Sequence, residues 1–319
     1  MVKVKRYLCL FITLIVILLL TTNCTSIKSK LEKQFKKVFV EDRTVEIKPG
    51  NQYAKSYNFA YLQNSKEYKL ENIDDLKNIV YSIANQGWED FTFYCAESYT
   101  TCIDDVKNNL VDNTVLIETI DNYIHPYNSI DGINLYYDTS GKITITTKRK
   151  YTEEEIKQID AKIDQIIKEN TYPINSIKDN IKALHDYIIN NTKYDAEMEL
   201  NGVSIYNSKK MDGLLNEHYA ICSAYTDVMA VMLNKLGLEN YKISNDVHIW
   251  NVVKIEGEWY HLDLTWDDPI TNTGEDVLLH DYFLITTNEL RDIIEKETDP
   301  ERKKQHNFDL NIYSEMKLK

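Results

Sequence analysis

Basic charge is what this sequence most conspicuously lacks: 37 Lys+Arg stand against 50 Asp+Glu, a net charge of −13. A nucleic-acid binder neutralises phosphates with a basic stripe, so the composition argues against DNA and RNA as partners. Glycine and proline are scarce, 9 and 5 among 319 residues, which excludes collagen-like and low-complexity chains. With 43% hydrophobic residues and no long polar tract, general disorder is excluded too. No internal repeat is present, and the one long apolar run lies at the N-terminus.

That run has the form of an export signal. Lys3, Lys5 and Arg6 precede 14 largely apolar residues, Tyr7 to Leu20, too short for a membrane span but suited to a signal-peptide core. Leu20-Thr21-Thr22-Asn23-Cys24 resembles the cleavage box of bacterial lipoproteins, which implies a signal peptide over 1–23 and a lipid anchor on Cys24. An uncleaved N-terminal anchor is the alternative, and either places the remainder outside a membrane. Loss of residues 1–23 leaves 34 basic against 50 acidic residues, so an anionic membrane surface would not attract the chain without its anchor. In that oxidising space Cys95 and Cys102 can close a small disulfide loop, leaving Cys222 as an odd thiol.

Length suggests two domains. Residues 25–150 read as a small α+β domain. Asn72 and Asp75 open a helix that Gly87 stops, Trp88 to Tyr94 reads as a strand, 103–124 as one helix ended before Pro126, and Ile133–Tyr137 with Ile143–Thr147 as a hairpin. Thr152 and Glu155 form a capping box for a helix bearing Ile156, Ile159, Ile163, Ile166 and Ile167, expected as a linker over 151–175. The second domain, 176–319, begins with an amphipathic helix bearing Ile177, Ile181, Leu184 and Ile188.

The chemistry concentrates in this second half. Residues 221–236 are apolar nearly all round and stop at Gly237, as a buried helix would, so Cys222 sits in its first turn, where unpaired N–H groups favour thiolate. Two strand-like runs, Val247–Ile255 and Glu258–Trp266, are joined by Glu256-Gly257. A two-residue turn pairs Ile255 with Glu258, Trp250 with Asp263 and His248 with Thr265, which makes His248 and Asp263 diagonal neighbours on one face. A bulged three-residue loop would instead turn Asp263 to the opposite face. Cysteine at a helix start with histidine and aspartate on adjacent strands is the set that nucleophilic acyl transfer needs, with no metal and no cofactor.

With these pieces placed, residues 177–268 resemble the transglutaminase-like domain of the papain-like thiol superfamily, in its bacterial extracellular branch. The matching segments are Leu184-His185-Asp186-Tyr187, Lys193-Tyr194-Asp195, Ser204-Ile205-Tyr206-Asn207, Ile221-Cys222-Ser223-Ala224-Tyr225, Val247-His248-Ile249-Trp250-Asn251 and His261-Leu262-Asp263-Leu264-Thr265-Trp266-Asp267-Asp268-Pro269. The resemblance implies an α+β fold with the nucleophile at a helix N-terminus packed on an antiparallel sheet. It also implies Cys222 as nucleophile, His248 as base and Asp263 as orienting carboxylate. The family usually carries glycine where this chain has Ala224, and the added methyl can narrow the acyl site.

The expectation is therefore a lipid-anchored thiol acyl-transfer enzyme on the outer face of a bacterial membrane, acting on protein or cell-wall peptide as a crosslinker, peptidase or amidase. An inactive binding module of the same fold is the alternative. A zinc site from Cys222, His248, His261 and Asp263 is a weaker reading, since the triad accounts for residue order without a metal. Asp267-Asp268-Pro269 reads as a strand-ending turn. His125, His185, His218, His280 and His306 show no pairing logic and read as structural or solvent-facing, and Asn288 to His306 as a solvated helix and loop.

Overall fold

Local signals set most element boundaries. After strand β1 (Lys69–Leu70) the Asn72 side chain accepts from the N–H groups of Asp74 and Asp75 while Asp75 accepts from that of Asn72. This capping box starts α1 (Ile73–Gln86), and Gly87 ends it at a φ of 67°. The computed structural model describes residues 45–270 and 277–317, so the expected signal segment and Cys24 lie outside the described residues. No helix among the described residues is long and apolar enough to cross a membrane.

Strand β2 (Asp90–Cys95) leads into α2 (Cys102–Leu110), and a Cys95–Cys102 disulfide ties the end of one to the start of the other. The single helix expected over 103–124 is two, α2 and α3 (Val115–Asp121). They part where the Asn113 side chain accepts from the Val115 N–H and offers the backbone a turn in place of a helical bond. Strands β3 (Ile130–Tyr137) and β4 (Lys142–Arg149) complete a four-stranded sheet ordered β1-β2-β4-β3, with β1 parallel to β2 and the other pairs antiparallel.

Helix α4 (Glu153–Asn170) begins with the Thr152–Glu155 capping box and buries Ile156, Ile159, Ile163 and Ile166 along one stripe. It is not the expected linker. Its isoleucines share one core with Leu184 and Ile188 of α5 (Ile177–Asn190) and with residues further on, and each such burial stabilises by roughly 1.5–3 kcal/mol. Residues 47–319, which take in most of the expected 25–150 domain and all of 176–319, form one compact unit.

The two-stranded pair of β5 (Lys193–Tyr194) and β6 (Tyr219–Ala220) is parallel, with α6 (Ala196–Asn201) and a π turn at Gly213–Glu217 between them. Next comes α7 (Cys222–Lys235), buried at every residue from Ala224 to Leu233. It packs on the antiparallel sheet of β7 (Asn240–Ser244), β8 (Ile249–Ile255) and β9 (Glu258–Leu262). On α7 the buried Asp227 receives Lys150 at 2.8 Å and Lys242 at 2.9 Å, and Lys242 also reaches Asp121 at 3.1 Å. The β8–β9 turn has positive φ at both Glu256 (54°) and Gly257 (90°), the type I′ geometry that pairs Ile255 with Glu258 and Asn251 with Leu262. The chain closes with α8 (Thr287–Lys296) and α9 (Pro300–Gln305).

Candidate active site

Cys222 is the first residue of α7. Ile221, at the cap position, is extended and has no side chain that could satisfy the first-turn N–H groups, so the partial positive charge of this turn faces the thiol. The thiol is free and half-buried. Beside it stands the Tyr194 phenol, whose hydroxyl is pushed up by burial, by the Cys222 sulfur and by Glu199, against the pull of the Cys222 backbone N–H.

His248 directly precedes β8 and Asp263 directly follows β9, so the hairpin register delivers them to each other. The His248 Nε2 and Asp263 Oδ2 lie 2.6 Å apart, both residues buried. The Cys222 sulfur also acts on this ring, and Nδ1 is the nitrogen that Asp263 leaves unused. Burial works against a charged ring here, but the Asp263 carboxylate and the Cys222 sulfur outweigh it and push His248 up to about 10. Asp263 Oδ1 accepts from the Thr265 hydroxyl at 2.7 Å and from the N–H groups of Thr265 and Trp266. Burial opposes its charge, but His248 and then His306 hold the carboxyl well below the usual range.

Sequence reasoning missed His306. The run from Asn288 to His306 is not wholly solvated, because its last residue is buried and places Nε2 2.8 Å from the same Asp263 oxygen that His248 uses. His306 stacks on Tyr282 with ring centroids 4.8 Å apart and meets Trp266 edge-on. Burial lowers its basicity against the attraction of Asp263, consistent with a neutral ring donating one N–H. Nothing in the local pattern marks it, since 43 residues separate it from its partner.

The other singled-out residues fall elsewhere. His261 is no partner in a metal site with the thiol: its Nδ1 accepts from Trp250 at 3.0 Å, its Nε2 lies 3.2 Å from the Thr287 hydroxyl, and burial lowers it to about 3. Ala224 is fully buried in the core, whereas a cleft of about 350 Å³ beside His248 is lined by Tyr194, Thr265, Trp266, Asp268 and Arg302 among others. Its methyl therefore does not narrow that cleft. Asp267 and Asp268 do more than end a strand, since Asp267 lies 3.2 Å from His185 and Asp268 accepts from the Tyr225 hydroxyl. A thiol, an imidazole and a carboxylate linked in this order can activate sulfur, accept its proton and return that proton to a leaving group.

Residues 161–264 match the model of the Transglutaminase-like superfamily. The match begins inside α4 and ends just past Asp263, so it contains Cys222, His248 and Asp263. Among solved structures the chain is similar to a TGase at 19% identity, with a TM-score of 0.33 over 43% of this chain and 44% of that one. A provisionally assigned cysteine protease from Cytophaga hutchinsonii gives 14% identity and a TM-score of 0.27 over 47% and 65%. A provisionally assigned protease from Parabacteroides distasonis gives 16% and 0.25 over 45% and 38%. The chain thus spans less than half the length of the first of these. No curated protein matches it.

Proposed function

We propose, from the premise that residues 161–264 make this a transglutaminase-like protein, that the chain is a cysteine acyltransferase or hydrolase acting through Cys222, His248 and Asp263. One observation carries the reading: a single buried imidazole stands 2.6 Å from a fully hydrogen-bonded carboxylate and is acted on by the sulfur at a helix N-terminus.

The Cys222 thiolate attacks a carboxamide or peptide carbonyl carbon, forming a C–S bond and a tetrahedral oxyanion within reach of the Cys222 N–H. His248 passes its proton to the leaving nitrogen, the C–N bond breaks, and a thioester remains. An amine or a water then adds to the thioester while His248 takes its proton; the C–S bond breaks and the thiolate returns. Asp263 keeps the ring oriented and stabilises its charge throughout. Crosslinking and hydrolysis share every step but the last nucleophile. The export signal and Cys24 support a lipid-anchored location on the outer face of a bacterial membrane, with protein or cell-wall peptide as substrate.

Alkylation by iodoacetamide at pH 6, read at Cys222 by peptide mass spectrometry, tests the pair. An ordinary thiol with a pKa of about 8.5 is only about one part in 300 thiolate at that pH. Wild-type protein should label at least about 10-fold faster than His248→Ala. Equally slow labelling of an accessible Cys222 in both would leave a binding module of the same fold as the better reading.

A further inference from the structure

A second cluster, unused by the thiol chemistry, joins α5 to the segment before α8. His185 Nδ1 lies 2.9 Å from Asp186 Oδ1, and His280 Nε2 lies 2.7 Å from the same oxygen. All three ligand atoms fall within 4.8 Å of one another. We infer that His185 Nδ1, Asp186 Oδ1 and His280 Nε2 form a site for one zinc ion, with water completing its coordination.

Three features carry the assignment. The donor set, two imidazoles and a carboxylate, is one that zinc takes with ligands about 2.0–2.2 Å away. Two such ligands on a tetrahedral ion stand about 3.4 Å apart, so each imidazole nitrogen need move only some tenths of an ångström from the Asp186 oxygen to admit it. The surrounding groups already have the arrangement that orients metal ligands. Asp267 Oδ2 holds the far nitrogen of His185 at 3.2 Å, and Lys182 holds the far oxygen of Asp186 at 2.6 Å. Lastly, His185 is fully buried and faces a carboxylate at each of its nitrogens. A metal bond at Nδ1 would still leave an N–H at Nε2 for Asp267. Phe283 packs edge-on to both rings, giving the site an apolar wall.

The ion would act as a clamp. Asp267 belongs to the stretch between Asp263 and Pro269 whose side chains line the cleft, so zinc on His185 would brace one wall of the cleft from behind, without touching substrate.

The test is zinc binding by full-length protein. Wild type, Cys222→Ser and His280→Ala are dialysed against micromolar zinc chloride and assayed for bound metal, with thermal unfolding recorded with and without zinc. His280 is partly exposed, so His280→Ala should keep the zinc-free unfolding temperature of wild type. The expected result is one zinc per chain in wild type and in Cys222→Ser, with a zinc-dependent rise of roughly 5–10 °C in unfolding temperature at saturating zinc. Affinity should fall at least about 10-fold in His280→Ala. No bound zinc, zinc retained in full by His280→Ala, or zinc lost in Cys222→Ser would each overturn the assignment; the second would place the ion elsewhere, and the third would put it at the thiol site.

Discussion

Replacing Asp263 by asparagine keeps the side chain's shape and removes its charge, and a second buried histidine gauges the effect on His248. His248 is pushed up to about 10, and among the groups that raise it the Asp263 carboxylate ranks first. His261 is buried as deeply but bonds only Trp250 and Thr287, and burial takes it to about 3. Without the carboxylate His248 should therefore fall from about 10 toward the range of His261, which burial and His306 lower, with only the Cys222 sulfur left to hold it up, crossing neutrality on the way. At pH 7 the ring would change from cationic to neutral, and turnover should drop by about 10²–10⁴-fold. Histidine-ring NMR over a pH series reads the shift directly, with kcat measured beside it. A His248 that still titrates above pH 8 in Asp263→Asn would refute the reasoning. The sign of the stability effect is also determined. A basicity raised in the folded state stabilises in full below 6.5 and is lost as pH rises through about 10. Wild-type stability should decline across that window, and the variant should not show the decline.

Three further outcomes are expected. Asp227→Asn should destabilise by about 3 kcal/mol in urea unfolding, because it removes the buried carboxylate shared by the part-buried Lys150 and the buried Lys242 and leaves Lys242 only Asp121; a loss under 1 kcal/mol would mean that the lysines find water instead. Ile163→Ala, at a fully buried position of α4, should cost about 2–5 kcal/mol, and its unfolding should remain one transition if α4 belongs to the common core. Replacing Cys95 and Cys102 together by alanine should cost about 2 kcal/mol, the loop-closure value for so short a loop, seen as a lower urea midpoint with an unchanged Cys222 labelling rate.

What could be read from the sequence was whatever a short stretch of chain decides by itself. Asn72, Gly87 and the Thr152–Glu155 pair mark helix ends through bonds made within four residues, and Glu256-Gly257 sets a register that carries His248 to Asp263. Cys222 could be placed in a first turn because the apolar run behind it is unbroken. Partners distant in sequence could not be read. The isoleucine stripe of α4 announces a buried face without naming what covers it, and so was compatible with a linker. His306 sits among charged residues that mark a solvated surface, yet it reaches Asp263 from across the fold. Asp267 reads as a turn residue until His185 is seen beside it, 82 positions earlier. The split of the helix expected over 103–124 turned on the Asn113 side chain competing for one N–H, a contest that periodicity does not register.

The helix that presents Cys222 is also the centre of the core, touching α4, α5 and the β7–β8–β9 sheet and holding Asp227 within the same buried stretch. A thiol mounted on a mobile loop can be silenced by local opening while the rest of the molecule stays folded. Here no such separate failure is open to it. The half-life of activity at raised temperature should equal the half-life of the fold, and selection acting on the chemistry would at the same time be selecting the isoleucines of α4.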